Sequence, residues 1–222
     1  MNEQPEKTPS LPEGPVPKAV VNRLSLYLRE LQHLVRGGNE TTSSSHLGGL
    51  LGFTDAQVRK DLAYFGHFGY PGIGYRCEEL IGAIRQILGT DRGWPVAMVG
   101  TGNLGRALLG YRGFGHQNFA IVAAFDVDPH KIGARIENVP VYHLDDLARV
   151  VGEQKIKLGM IVVPAPAAQS VADKLVQAGV EGIVNFAPVT LVLPAETSLV
   201  GVDLAMELEQ LSFAVANRQI GK

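Results

Sequence analysis

The chain has 222 residues, of which 45% are hydrophobic, with a formal net charge of −2 and a single cysteine. That length leaves room for one or two domains with a real core, and the charge balance singles out no class of partner. Cys77 alone cannot form an internal disulfide, and no apolar run approaches the roughly 18 residues of a membrane span. A soluble protein of the reducing cytoplasm is expected, with no signal peptide and no membrane partner.

Residues 1–16 carry Pro5, Pro9, Pro12 and Pro15 among few apolar residues and read as a flexible tail. Pro17 can start a helix in which Val21, Leu24, Leu28, Leu31 and Val35 form one apolar face, stopped by Gly37 and Gly38. Ser43 and Ser44 are natural caps for a second short helix with Leu47, Leu50 and Leu51, closed by Gly52. Thr54 and Gln57 form a capping box for a third, with Val58, Leu62 and Phe65 facing inward and Arg59 and Lys60 outward. Three short helices in this order fit a helix-turn-helix. Its third helix would read bases with Gln57, Arg59 and Lys60, while the serines at the second helix start suit phosphates.

Residues 65–75 alternate glycines with aromatic and β-branched residues, the pattern of a tight hairpin or wing, with Arg76 near its base. The DNA-facing set is therefore Ser43, Ser44, Gln57, Arg59, Lys60, Tyr64, Phe68 and Tyr75. Residues 18–92 hold nine Lys/Arg against seven Asp/Glu, so any basic surface must be local. A fourth helix over 77–88 closes this domain, assigned to 17–89, before a turn-rich joint.

Residues 96–99 read as a buried parallel strand, and Gly100, Gly102 and Gly105 after it match G-x-G-x-x-G, with a helix expected over 106–111. The first glycine allows the tight turn, the second lets backbone approach a pyrophosphate, and the third allows close packing of helix on strand. A second strand over 119–125 ends at Asp126, where an acid suits the ribose hydroxyls of NAD and would repel the extra phosphate of NADP. Strands over 158–163 and 182–186 flank a helix over 167–178 and continue a Rossmann-type parallel sheet. Their carboxyl ends, Pro164 and Asn185, Phe186, Ala187, Pro188, are candidate walls for the nicotinamide half, or plain loop geometry.

Residues 191–193 and 199–202 read as short closing strands. Asp203 can then cap a last helix with Leu204, Leu208, Leu211 and Val215 on one face. By spacing alone that stripe covers its own sheet.

No acid/base constellation accompanies the fingerprint: His116, His130 and His143 lack an orienting carboxylate, and Asp145 and Asp146 most simply begin a helix. There is no His/Cys metal cluster. The nucleotide is expected to be read and not consumed, so no enzyme is expected. The competing class is an NAD-dependent oxidoreductase, or a CoA-ligase-like subunit with a helical appendage, which would need an acid/base group beside the nicotinamide or a phosphorylatable histidine.

Together these residues resemble the redox-sensing transcriptional repressors called Rex. The likeness is carried by Arg23 and Leu24 with Tyr27 and Leu28, by Ser43 and Ser44, by Gln57-Val-Arg-Lys-Asp-Leu62, and by Phe65-Gly66, Phe68-Gly69 and Gly74-Tyr75. In the second half it is carried by Gly100-Thr-Gly-Asn-Leu-Gly105, Phe125-Asp-Val-Asp128 and Asn185-Phe-Ala-Pro188. The resemblance implies an α/β protein with an N-terminal winged helix, a Rossmann domain over 90–202, and a helix over 203–222 exchanged between the subunits of a homodimer. It implies repression at palindromic operator DNA read in the major groove, with NADH and NAD⁺ as regulatory ligands and release as NADH rises. The implied cofactor set is Gly100, Thr101, Gly102, Asn103, Leu104, Gly105, Asp126, Val127, Pro164, Asn185, Phe186, Ala187 and Pro188. It further brings the regions of Arg29, Tyr111 and Asp203 together; there Arg29 and Asp203 are expected to pair in one of two states with Tyr111 competing for the same carboxylate, or the three are an ordinary surface arginine, a core-edge tyrosine and a helix cap. The proline-rich tail departs from the family pattern.

Overall fold

The computed structural model describes Pro9 and residues 14–220, which divide between Arg92 and Gly93 into two compact units. Of the tail expected over 1–16, all but Pro9 and 14–16 lies outside the described residues, as do 221 and 222 at the other end. Among the described residues, no helix is long and apolar enough to cross a membrane.

The first unit runs α1 (Lys18–Arg36), β1 (Thr41–Thr42), α2 (Ser44–Leu51), α3 (Asp55–Ala63), β2 (Tyr75–Arg76) and α4 (Cys77–Leu88). The α1 face that is buried is Val20, Leu24, Tyr27, Leu28, Leu31 and Leu34. Val21 is exposed and Val35 only half-buried, because Tyr27, not an aliphatic residue, is the centre of the stripe. Ser43 accepts the His46 amide at 3.0 Å and Thr54 accepts the Gln57 amide at 3.1 Å, so both expected caps form. The wing is minimal. Tyr70 and Gly74 exchange backbone hydrogen bonds at 2.7 and 3.0 Å, and β2 then pairs antiparallel with β1.

At the centre of this apolar unit sits a carboxylate. Asp61 is fully buried. The Arg23 fork reaches it through Nε at 2.6 Å and Nη2 at 2.8 Å, the Tyr27 hydroxyl at 2.8 Å and the Gln57 amide at 2.8 Å. Burial alone would push this carboxyl up, but hydrogen bonds from Arg23, Tyr27 and Gln57 outweigh it and hold the group below its ordinary value.

The second unit runs β3 (Trp94–Val99), α5 (Asn103–Leu109), α6 (Gly113–His116), β4 (Phe119–Asp126), β5 (Arg135–Ile136), β6 (Val139–His143), α7 (Leu147–Glu153), β7 (Leu158–Ile161), α8 (Ala165–Gln177), β8 (Gly182–Asn185), β9 (Ser198–Gly201) and α9 (Leu204–Ile220). One sheet holds them in the order β5-β6-β4-β3-β7-β8-β9, parallel throughout except for β5. Without that edge strand it is the doubly wound dinucleotide-binding order. Alternate residues of the strands supply two cores. Ala97, Val99 and Phe125 pack with Leu147, Val171 and Leu175 of α7 and α8, while Val96, Met98 and Ala124 pack toward Leu108 and Leu109 of α5.

Three expectations need correction. The helix after the glycines starts at Asn103, not 106, because Gly102 already serves as its cap residue. Residues 191–193 form no strand. The Gln169 side chain of α8 takes both backbone groups of Val192, donating to its carbonyl and accepting its amide at 2.9 Å each, so neither is left for a sheet. Finally, α9 does not cover its own sheet: Leu204, Leu208, Leu211, Phe213 and Val215 are each more than half exposed.

The Asp61 network generates a prediction. Asp61→Ala leaves Arg23 and Tyr27 facing an apolar gap and should destabilise the first unit by about 3 kcal/mol, read by thermal unfolding. Because the folded value is depressed, the contribution of Asp61 is complete above the unfolded carboxylate value of about 3.9 and is lost as pH falls through the folded value. Wild-type stability should fall on acidification in that range, and less steeply in Asp61→Ala. Parallel curves for the two proteins would place the acid sensitivity elsewhere.

Candidate functional site

The strand order of the second unit reverses between β3 and β7, and a crevice beyond their carboxyl ends is where doubly wound sheets bind ligands. The fingerprint glycines divide the work there. Gly100 has φ +101°, and a Cβ on it would run into the carbonyl of Val162 at the end of β7. A Cβ on Gly105 would run into the Gly100 carbonyl. Gly102 is different: nothing lies within 4 Å of where its Cβ would be. Two glycines close the turn, and the third leaves backbone open to a phosphate, which fits a dinucleotide.

Asp126 ends β4 as expected but is engaged from within. Its Oδ2 accepts the Thr101 amide at 2.9 Å, the Thr101 hydroxyl, and Lys131 Nζ at 3.0 Å. Its Oδ1 accepts the amides of Val127 at 2.9 Å and Asp128 at 3.0 Å. Burial would raise this carboxyl, but the Thr101, Asp128 and Lys131 hydrogen bonds overcome it and hold it far below the usual carboxylate range. Five donors fill the roughly four acceptor positions of a carboxylate. Asp126 therefore ties β4 to the glycine turn, and Lys131, which sequence reasoning missed, stands at the rim. The only sequence signal was a cation five residues beyond the acid.

Other candidates sort by exposure. Thr101, Asn185 and Ala187 are buried framework. The Asn185 amide donates to the Ala187 and Val189 carbonyls at 3.0 Å each and accepts the Ala187 amide at 2.9 Å, shaping the loop after β8. Asn103, Leu104, Val127, Pro164 and Pro188 are exposed, and Phe186 is half-buried.

In the first unit, α3 presents Arg59 and Lys60 to solvent, and Tyr64, just past its end, is exposed too. Arg59 Nη1 donates to Asp55 at 2.6 Å and to Ser44 at 3.1 Å, joining α3 to α2. Gln57 is half-buried, and its amide turns to Asp61 instead of back to Thr54, so the capping box is half made. Phe68 and Tyr75 lie in the core of the unit, so they support the wing from beneath and do not line its surface. Sequence reasoning placed Arg76 near the wing base but did not foresee its partners. There the Arg76 guanidinium lies 4.8 Å from the Tyr70 ring centroid, and both residues bond Glu79.

Of the three switch candidates, Arg29 is exposed on α1. Tyr111 is exposed and packs edge-to-face on Phe114. Asp203 caps α9, accepting the Ala205 amide at 2.9 Å. Among the described residues, no group of three His, Cys, Asp or Glu could hold a metal ion.

Two family models match the chain: a putative DNA-binding protein N-terminus over residues 15–63 and a CoA binding domain over residues 91–189. The redox-sensing transcriptional repressor Rex of Desulfitobacterium hafniense is 48% identical over 204 residues, covering 92% of this chain and 97% of the relative. That of Carboxydothermus hydrogenoformans is 48% identical over 200 residues, covering 90% and 96%. Among solved structures, RSP in complex with β-NAD⁺ and operator DNA aligns with a TM-score of 0.88 at 34% identity, over 94% of this chain and 96% of that one. RSP in complex with β-NADH aligns at 0.84 and 33%, over 94% and 98%.

The glycine geometry predicts a separation of effects. Gly102→Val should leave thermal stability within about 0.5 kcal/mol of wild type yet abolish binding in an NADH titration. Gly105→Ala should cost on the order of 1–3 kcal/mol of stability through the clash with the Gly100 carbonyl. Asp126→Ala should lose both stability and NADH affinity. Equal melting temperatures for Gly105→Ala and wild type would contradict the packing role.

Proposed function

This chain belongs to the family of redox-sensing transcriptional repressors called Rex, and we propose that it represses transcription from palindromic operator DNA and releases that DNA as NADH rises relative to NAD⁺. The observation that carries the reading is the union, in one chain, of a capped α3 with an outward Arg59 and Lys60 and a glycine crevice left open only at Gly102. It is a repressor and not an enzyme, as its curated relatives are.

Arg59 is the guanine reader: Asp55 and Ser44 occupy Nη1 alone, which leaves Nε and Nη2 to fork onto O6 and N7. Lys60 and the α2 start at Ser43 and Ser44 contact phosphates. The backbone from Gly100 to Gly105 holds the pyrophosphate, Asp126 and Lys131 order the adenosine side, and Pro164 and Phe186 to Pro188 wall the nicotinamide. When bound, the nucleotide supplies a ring that is positively charged when oxidised and neutral when reduced. α9, with its apolar stripe exposed, is exchanged across a homodimer. Arg29, Asp203 and Tyr111 re-partner between the DNA-bound and NADH-bound states, and the repressor works in the cytoplasm.

Arg59→Ala or Lys60→Ala should weaken operator binding by on the order of 1–3 kcal/mol while NADH binding is kept. Normal operator affinity in both variants sinks the DNA assignment. For the switch, operator affinity is measured with and without saturating NADH for wild type, Arg29→Ala, Asp203→Ala and the double variant. The NADH-induced loss should shrink in both single variants, with non-additive effects in the double. An identical loss in all four removes these residues from the coupling.

A further inference from the structure

Gln57 carries an amide with two unlike ends, a donating Nε2 and an accepting Oε1. The end that faces Asp61 is settled by chemistry. An ionised carboxylate only accepts, so Nε2 must meet it, and it does so at 2.8 Å from Oδ1. The carboxylate is itself immovable, gripped from α1 by Arg23 Nε and Nη2 at 2.6 and 2.8 Å and by the Tyr27 hydroxyl at 2.8 Å. Turning the amide over would set Oε1 against Asp61, oxygen against oxygen. The carbonyl end is thus the one directed away from the core, on the third residue of α3 and on the same helix as Arg59 and Lys60.

We propose that the Arg23–Asp61 pair makes Gln57 a one-way reader of the operator, its Oε1 accepting from an exocyclic amine in the major groove, adenine N6 or cytosine N4, and rejecting a keto oxygen at that place. This deepens the DNA-binding reading above and rests on it. Glutamine without such a partner can turn either end outward, so it discriminates amine from keto poorly. Here Asp61 is the positioning residue and Gln57 the specificity-determining one. An amine meets an acceptor, whereas guanine O6 or thymine O4 would meet a second lone pair.

The probe is a palindromic duplex selected by the full-length wild-type protein from a random pool. Each adenine in a half-site is replaced in turn by purine, which lacks the 6-amino group, and each cytosine by 2-pyrimidinone, which lacks the 4-amino group. At one such position per half-site, wild-type affinity should fall about tenfold. Gln57→Leu should bind the unmodified duplex weaker by the same factor and be indifferent to that analogue. Asp61→Asn, shown folded by thermal unfolding, should accept a keto base at the position that wild type refuses. The Gln57→Leu arm stands whether or not Asp61→Asn folds.

The proposal is overturned if no amine deletion weakens wild type, if the amine and Gln57→Leu effects simply add, or if the Gln57-dependent contact is to a keto oxygen. A wild-type protein that selects no duplex, or holds it regardless of NADH, would instead overturn the proposed function.

Discussion

A carboxylate removed from water must be met by donors, and the demand at Asp61 decides how the helices of the first unit can sit. Arg23 and Tyr27 come from α1, Gln57 and Asp61 from α3, so the two helices are fixed against each other by direction as well as by apolar contact. Apolar packing alone would tolerate slippage of one side chain past another. A fork of two charge-assisted hydrogen bonds does not. The second unit repeats the device at Asp126, where the donors come from the glycine turn, the strand end and Lys131. In both units an acid met by several donors stands behind the surface proposed to face a ligand.

What lay open to sequence reasoning was whatever a local constraint imposes. Glycines 100, 102 and 105 were legible because a turn and a close approach admit little else, and the caps at Ser43 and Thr54 because the hydroxyl bonds an amide three residues on. The short strands β5 and β6 are not legible in the sequence, since two residues from Arg135 and five ending in His143 carry no distinct period. Residues 191–193 were apolar enough to suggest a strand, but Gln169 is twenty-two residues away from 191 and its claim on Val192 leaves no trace nearby. Asp61 was read only as part of a motif. Nothing in the sequence says that an acid between Lys60 and Leu62 turns inward; that depends on Arg23 arriving from α1.

The apolar stripe on α9 follows a different logic. Seventeen residues can propagate a helix, but one whose Leu204, Leu208, Leu211 and Val215 stay exposed gains none of the burial that normally stabilises an amphipathic helix. Asp203 still caps its start. An apolar face left uncovered in its own chain suits the exchange across a homodimer proposed above, in which a second copy offers the symmetric solution. The spacing was read correctly while the covering surface was not, because periodicity reports that a face is apolar and never says what lies on it.

Sensing the ratio of two nucleotides that share almost every atom leaves only the nicotinamide ring as the source of discrimination. On the proposed placement the ends of β7 and β8 would offer it Val162, Val163 and Pro164 on one side and Phe186, Ala187 and Pro188 on the other, none of them charged. An oxidised ring placed there loses its hydration without gaining a counter-charge, whereas the neutral reduced ring loses little. The bonds that hold the rest of the nucleotide are common to both forms and contribute affinity without preference. On that placement an uncharged wall is what would favour the reduced ring: a carboxylate at these strand ends would pair with the oxidised ring and erase the distinction. Asp126 and Asp128, at and just past the end of β4, stand on the proposed adenosine side, where they cannot tell one redox state from the other.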